Sequence, residues 1–170
     1  MTPTPLELHQ ADANAIATLI GRATWGLGAW ATPGSQVGTG LSCSSGQVDA
    51  GLFVETTTSP DPQDLTKVAM TGQLQVMLNA CVTDQTGTID GLTLDGFLDG
   101  NGTYDVPADP SQPTGNAVAR FGGSLSWSSF SDAATGETCY AELVTYGDID
   151  LAGTICGFDV TWDGGPIPSP

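Results

Sequence analysis

Residues 73–82 read Gln-Leu-Gln-Val-Met-Leu-Asn-Ala-Cys-Val, and this stretch decides the fold class of the chain. Apolar side chains fall at every second position, which is the period of a β-strand with one buried face. One face of the predicted strand carries Leu74, Val76, Leu78, Ala80 and Val82, and the other carries Cys81. Because a helix would need apolar residues three and four positions apart, the stretch predicts a long, half-buried strand.

The residues after this strand predict hairpins, because turn residues separate further apolar runs. A turn at 83–87 would place Leu78 opposite Leu92. Asp99-Gly100-Asn101-Gly102 has the composition of a second tight turn. Further strands are predicted over 103–106, 118–130, 137–146 and 149–162. The pattern indicates an all-β fold, either an antiparallel β-sandwich or a half-open β-barrel, with strands from about residue 47 onward.

The N-terminal segment predicts a helix over about residues 5–22. Thr4-Pro5-Leu6-Glu7 has the residue types of a capping box, and an apolar stripe at helical spacing follows it. We expect this helix to pack on a sheet face or to close one end of the barrel. Residues 1–163 then form a single β-rich domain, and the Gly- and Pro-rich residues 164–170 form a flexible tail.

The four cysteines predict two disulfides. They show no Cys-x-x-Cys spacing, and a chain with a single histidine offers little for a zinc site. Counting outward from a turn at Gly147-Asp148 places Cys139 opposite Cys156, within disulfide range. Cys43 would then pair with Cys81, and the segment around Cys43 should cross the outer face of the strand. Two disulfides indicate an oxidising compartment.

The charge balance excludes some partners. The chain has 3 basic and 19 acidic residues, for a net charge of −16. Three scattered cations cannot neutralise nucleic acid phosphates, and anionic membrane surfaces are repelled. The acidity has two interpretations, of which the first is favoured: solubility of an exported protein, or cation binding by clustered carboxylates.

Three short segments carry a resemblance to known proteins: Leu-Asn-Ala-Cys ending at Cys81, Thr-Ile-Asp-Gly-Leu-Thr-Leu at 88–94, and Gly-Thr-Ile-Cys-Gly at 153–157. With their surroundings, roughly residues 70–160, they resemble exported, β-rich, lipoprotein-like domains of proteobacteria that have no assigned activity. The resemblance implies export and a β fold. The expected location is therefore extracellular, periplasmic or at the outer cell surface, although the chain opens at Met1 with no export signal.

The strongest candidate for a metal site lies in an Asp-rich stretch. Oxygen ligands recur there at alternate positions, as a hard cation such as calcium requires. The candidate ligands are Asp95, Asp99, Asn101 and Asp105. The stretch does not match an EF-hand loop, and tight turns need the same residue types without any metal. Turn chemistry is the favoured interpretation, and no other cofactor is expected.

Trp25 and Trp30 are the candidate ligand-binding residues. They lie in a Gly-rich extension after the predicted helix. They either close one end of the core, which is favoured because tryptophan is mostly buried, or form a stacking platform for a sugar or another partner.

Catalytic residues are not evident. His9 is the only imidazole base and falls early in the predicted helix, and no Gly-x-Ser-x-Gly motif is present. Glu55, Glu137 and Glu142 could supply the paired carboxylates of a glycoside hydrolase, but any acidic protein offers such pairs.

These observations favour a non-catalytic extracellular or cell-surface structural module, with self-association through an open strand edge as one mode of action. The alternative is a binding module for a small apolar ligand or a glycan, held in the barrel mouth or on the two tryptophans. A secreted hydrolase with paired carboxylates comes third.

Overall fold

The computed structural model describes residues 7–24, 36–55, 67–83, 87–89, 91–107, 117–129, 135–146 and 150–164. Helix α1 spans Gln10–Thr24. The strands are β1 Gln36–Ser42, β2 Ser45–Glu55, β3 Lys67–Val82, β4 Leu92–Pro107, β5 Ala117–Ser129, β6 Thr135–Tyr146, β7 Asp150–Ile155 and β8 Phe158–Asp163. The predicted flexible tail lies almost wholly outside the described residues.

The eight strands form one antiparallel sheet in chain order, β1 to β8, so each strand pairs with its sequence neighbours. The sheet curls into a half-open barrel, which confirms one of the two architectures predicted and replaces the sandwich. Helix α1 contacts β7 and β8 at one edge and β1 and β2 at the other. It therefore lies across the opening between the two edge strands.

The core fills the space between the helix and the inner face of the sheet, the face that packs on α1. Ile16 and Ile20 of the helix are fully buried. Every second residue of the strands faces the helix and packs in the same core. These core residues include Val48, Leu52, Val76, Leu98, Leu125, Leu143 and Ile155. Each such side chain removed from water contributes about 1.5–3 kcal/mol, so the helix and the curled sheet stabilise one another.

The pairing of β3 with β4 differs from the prediction. Leu78 lies opposite Gly96 rather than Leu92, and the register shifts between Leu78 and Cys81. A β-bulge at Asn79-Ala80 causes this shift: Ala80 has a φ of 44°, and its N–H donates to the Asp95 carboxylate at 2.8 Å. The extra residue reverses the alternation, so Cys81 faces the core and Ala80 faces solvent. The prediction that Cys81 lies on the outer face is wrong.

One predicted turn and one predicted strand are also wrong. β4 runs without interruption through 99–102, since neighbouring strands pair with it there on both sides. The predicted strand over 149–162 is instead a hairpin, with Cys156-Gly157 as its two-residue turn. Both turn residues have positive φ, 53° and 83°, which suits the twist of the flanking strands.

Both predicted disulfides are confirmed. Cys43–Cys81 has a Cα separation of 5.4 Å and Cys139–Cys156 one of 5.1 Å. The β6–β7 register differs by one residue from the register used to predict the second pair, because Tyr146 pairs with Asp150. The first pair joins the β1–β2 connection to the bulged end of β3, so strands begin well before residue 47.

The helix begins later than predicted. His9 is its N-cap: the His9 carbonyl accepts from the N–H groups of Asp12 and Ala13, each at 3.0 Å. The Asp12 carboxylate accepts from the His9 N–H at 3.0 Å, which is the reciprocal half of a capping box. The helix start lies at the same end of the sheet as both disulfides. We call this end of the barrel the cysteine end, and the opposite end, where Asp150 pairs with Asp163, the Asp150 end.

At the Asp150 end the helix touches the edge strand closely. A Cβ placed on Gly21 would lie 2.3 Å from the indole ring of Trp162. Only glycine leaves room for that ring against the helix. Gly21 therefore lowers the helix propensity of α1 but lets the helix approach β8.

Candidate functional site

A pocket of about 360 Å³ opens at the cysteine end, between the residues before the helix and the last strands. We call it the mouth pocket. Its lining residues are Glu7, Leu8, Trp127, Glu137, Thr138, Cys139, Cys156 and Phe158. The walls are thus two aromatic rings, a leucine and a disulfide, with two carboxylates among them. This mixture of an apolar wall and a few polar groups is typical of small-molecule sites.

Trp127 is the central residue of the mouth pocket. It lies near the end of β5, opposite Leu94 of β4, and is 8% exposed. Its indole Nε1 is buried and has no hydrogen-bond partner among the described residues. Buried tryptophan N–H groups normally donate to an acceptor, and an unpaired buried donor costs about 1–3 kcal/mol. Trp127, which lines this pocket, therefore carries a costly, unsatisfied group.

Two other buried atoms in the described part of the chain lack partners, the hydroxyl of Thr145 and Oδ1 of Asp150. Both belong to the Asp150 end, since Thr145 lies opposite Leu151 and Asp150 opposite Asp163. Trp127 lines the mouth pocket, whereas Thr145 and Asp150 do not.

The frame around Trp127 is covalently fixed. Cys139 of β6 is bonded to Cys156 in the β7–β8 turn, and the Cys156 N–H donates to the Tyr140 carbonyl at 3.1 Å. Phe158 follows this turn directly, so the turn sets the place of its ring. Leu8 comes from the other side, immediately before the helix cap. A disulfide and a helix start therefore position the walls, as a preformed site requires.

The mouth pocket is acidic. Glu7 and Glu137 are both exposed and come from different parts of the fold, the residues before α1 and strand β6. No basic residue is among the described residues that line it. Arg22 lies in the last turn of the helix, and Arg120 pairs with Asn101 and Val144 midway along β5. Neither cation is placed to neutralise the pocket.

A second polar cluster lies beside the pocket and is fully satisfied. Asp12, 0% exposed, accepts from the N–H groups of Thr88 at 2.7 Å and Ile89 at 3.0 Å, from the Thr88 hydroxyl and from the His9 N–H. Burial by itself would raise the pKa of Asp12, but these hydrogen bonds outweigh it and hold the pKa below its ordinary value of 3.8. This carboxylate ties residues 87–89 to the helix start.

His9 and Thr88 do not form a nucleophile and base. The Thr88 hydroxyl lies 3.1 Å from His9 Nδ1, but it donates its proton to the Asp12 carboxylate. A serine-type triad needs the opposite arrangement, with the hydroxyl donating to the imidazole. Sequence reasoning missed this cluster, although Asp12 three residues after His9 has the spacing that could have indicated a cap.

At the Asp150 end, two carboxyl groups lie directly across the β7–β8 ladder. Burial, a hydrogen bond with the Asp163 side chain and repulsion from its charge together raise the pKa of Asp150 above its ordinary value of 3.8. With only two carboxylates, the pair does not form a metal site.

The predicted calcium ligands are spread along one strand. Asp95, Asp99, Asn101 and Asp105 all belong to β4, and Asp95 already accepts a hydrogen bond from the bulge. At about 3.3 Å per residue, the first and last are about 33 Å apart, so they cannot surround one ion. Among the residues that the structure describes, no group of three or more His, Cys, Asp or Glu could hold a metal.

The three candidate glutamates are also separated. Trp25 and Trp30 lie outside the described residues. Glu137 lines the mouth pocket, whereas Glu142 is exposed on the outer face, opposite Gly122 and Thr154. Glu55 ends β2 and pairs with Thr71. The fold does not bring the three predicted glutamates together.

The outer face carries four exposed apolar side chains. Phe53, Met77, Phe97 and Tyr140 are each more than two-fifths exposed, on strands β2, β3, β4 and β6. Met77 and Phe97 lie directly opposite each other, and Ser124 lies between Phe97 and Tyr140. Nothing in the described structure indicates what would cover these side chains. No described helix combines the length and apolar character needed to cross a bilayer.

Comparisons with protein-family models, with curated proteins and with solved structures found no match to this chain. The resemblance to exported lipoprotein-like domains stays a prediction. Two disulfides are compatible with an oxidising environment outside the cell.

Proposed function

We propose that this protein is an exported, non-catalytic binding module that holds a small molecule in the mouth pocket. The observation that carries the proposal is the unpaired indole N–H of Trp127 beside that pocket. A ligand oxygen that accepts from Nε1 recovers the cost of the buried donor. Because Nε1 itself is buried, the indole ring must turn toward the pocket for this hydrogen bond to form. The apolar walls supply the remaining contact area.

The support comes from how the pocket is built. A disulfide, a hairpin turn and a capped helix fix its walls, and a preformed site loses little conformational entropy when a ligand binds. The proposal moves the alternative predicted from the sequence ahead of the structural module. It also moves the site from Trp25 and Trp30 to Trp127.

The test uses the neutral probe 3,3-dimethylbutan-1-ol and the oxidised ¹⁵N-labelled protein. We expect the Trp127 indole signal to shift saturably, at probe concentrations of about millimolar for so small a ligand. Trp127→Phe keeps a ring and removes the donor, so it should weaken binding severalfold while the unfolding midpoint holds. Because this variant has no indole at position 127, its binding is followed on the backbone amides of residues 137–139 and 156–158. Phe158→Ala should weaken binding as well.

Phe53→Ala is the matched control, because it removes an exposed ring from the outer face. It should leave the affinity unchanged. If no indole signal moves at any probe concentration up to solubility, or if the Trp127→Phe variant binds as the parent does, the proposed site is wrong.

A structural module that self-associates is the second candidate, and strand β1 favours it. The edge strand β1, Gln36–Ser42, contains no charged residue and no proline. The other edge, β8, carries Asp159 and Asp163, and Gln10 of the helix donates to the Asp159 carbonyl at 2.8 Å. Unprotected strand edges favour pairing with another strand, so β1 of a second copy is the expected partner.

Sedimentation at rising concentration and at about 0.5 M salt tests this candidate, because salt screens the repulsion between chains of net charge −16. We expect a dimer that Thr39→Asp weakens. Thr161→Asp, which adds the same charge to β8, should not weaken it. A monomer throughout this range would remove the candidate.

A further inference from the structure

We propose that the mouth pocket selects organic cations: compact quaternary or protonated amines with an apolar body and an oxygen acceptor. This inference rests on the proposed function and names the ligand class of the same site. It is carried by the juxtaposition of the Trp127 and Phe158 rings with the Glu7 and Glu137 carboxylates in one pocket.

The aromatic walls account for the charge preference at short range. The faces of indole and phenyl rings carry negative potential and attract ammonium groups, tryptophan most strongly. A quaternary ammonium also has apolar methyl groups, which fit the leucine and disulfide surface beside the rings. Neutral ligands of the same shape gain the apolar contact but not the attraction.

The carboxylates reinforce this preference. Glu7 and Glu137 line the pocket from two different parts of the fold. A cation in the pocket is therefore attracted by the negative charges of both carboxylates. No lining residue in the described structure is basic, and the whole chain has only 3 basic residues against 19 acidic ones. Both the pocket carboxylates and the net negative charge of the chain therefore repel anionic ligands and attract cations.

The oxygen acceptor follows from the buried donor. Trp127 Nε1 has a proton to give and no described protein acceptor. A bare alkylammonium ion has only donors or methyl groups and leaves that proton unpaired. A cation that also carries a hydroxyl, ether or carbonyl oxygen satisfies the ring face and the N–H together.

Three probes with the same branched head separate charge from shape: choline, 3,3-dimethylbutan-1-ol and 3,3-dimethylbutanoate. Each is titrated against the oxidised full chain at low salt, and the shift of the Trp127 indole signal gives the affinity. We expect choline to bind about tenfold more tightly than the alcohol and the anion to bind more weakly still. Added salt should weaken choline binding and leave alcohol binding unchanged.

The variant pair Glu7→Gln with Glu137→Gln should reduce the advantage of choline over the alcohol to about twofold, with alcohol affinity unchanged. The control pair is Glu142→Gln with Asp159→Asn, which removes the same charge from exposed positions outside the pocket. It should keep the advantage near tenfold.

The outcomes separate the two proposals. If the alcohol binds at Trp127 as tightly as choline does, the cation inference is overturned and the binding function stands. If neither probe moves the Trp127 signal, both are overturned. If the control pair lowers choline affinity as much as the pocket pair does, the selectivity belongs to the net charge and the inference fails.

Discussion

The two ends of the half-open barrel satisfy their polar groups in different ways. At the cysteine end, both disulfides join strands to one another, and the Asp12 carboxylate, which accepts from four donors, ties residues 87–89 to the helix start. At the Asp150 end, two carboxyls oppose each other and a buried threonine hydroxyl has no described partner. The same sheet is cross-linked at one end and electrostatically strained at the other.

This difference indicates where function belongs. A ligand site works best where its walls are held in place, because a mobile wall must be ordered at the cost of affinity. The unpaired indole of Trp127 lies within the cross-linked end, beside the satisfied Asp12 cluster. An unsatisfied donor in a rigid frame can serve a ligand, whereas the repulsion between the two facing carboxyls at the other end lowers stability.

Removal of the disulfides should have the largest effect. Cys43–Cys81 closes a loop with a sequence separation of 38 and Cys139–Cys156 one of 17. Loop-closure entropy then gives losses of about 4 and about 3 kcal/mol for the two paired Cys→Ala variants. Urea unfolding measures both. The order of the losses should also follow burial, since Cys81 is 0% exposed; the reverse order would contradict the account.

The Asp12→Asn variant should lose about 3 kcal/mol, because an amide in place of the carboxylate sets N–H groups against the N–H donors of Thr88 and Ile89. The exposed Asp99→Asn on the outer face removes the same charge and should change stability by less than about 0.5 kcal/mol. Urea midpoints compare the two. Equal effects would show that net charge, rather than the Asp12 cluster, sets stability at this end.

The same variant has a pH signature. The pKa of Asp12 is lower in the folded state than in the unfolded state. Its contribution to the free energy of unfolding is therefore present above the unfolded pKa, 3.8, and is lost as pH falls through the folded pKa. The parent should therefore lose its advantage over Asp12→Asn on acidification below about pH 4. A stability difference that stays constant from pH 7 to pH 2 would contradict this assignment.

Gly21→Ala should lose about 2 kcal/mol, since its Cβ would enter the Trp162 ring, although alanine favours helix. Gly38→Ala is the matched control, because the nearest atom to its Cβ is 3.7 Å away. Thermal unfolding distinguishes them. A stabilised Gly21→Ala protein would mean that the helix does not approach β8 so closely, and the Asp150 end would be looser than described.

The smallest effect should be a gain. Asp150→Asn removes one of two facing carboxyls and should stabilise the protein by about 0.5 kcal/mol at neutral pH. Because the folded pKa of Asp150 is raised, its ionisation lowers stability, and the gain should vanish once pH falls below the unfolded value, 3.8. A loss of stability at pH 7 would show that the two carboxyls bind a cation rather than repel.

The fold class and the Cys139–Cys156 disulfide follow from local pattern, because alternation along 73–82 and the predicted turn near 147 are short-range signals, and Cys43–Cys81 is then the remaining pair. The β3–β4 register does not follow. The connection is longer than the predicted turn, since β4 begins only at Leu92, and the bulged Ala80, held by the Asp95 carboxylate 15 positions away, shifts the pairing by one further residue and turns Cys81 inward. Alternation cannot reveal a bulge whose partner lies on another strand.

The candidate site was predictable only in outline. The sequence favoured a structural module and gave a binding module as the alternative, in the barrel mouth or on Trp25 and Trp30 rather than at Trp127. Aspartates on β4 resembled ligands because an exposed strand face and a metal loop share the same alternation. What distinguishes Trp127 is an unpaired N–H within an enclosed frame, and burial and partners of that kind arise from packing rather than from residue type.

Mapping of choline binding on the backbone amides tests whether the cross-linked end of the barrel holds the site. We expect saturable shifts for the Trp127 indole and for the amides of residues 137–139 and 156–158, and no shift for residues 150–151 and 162–163. Shifts centred on the Asp150 end, or spread evenly over the acidic outer face, would contradict it.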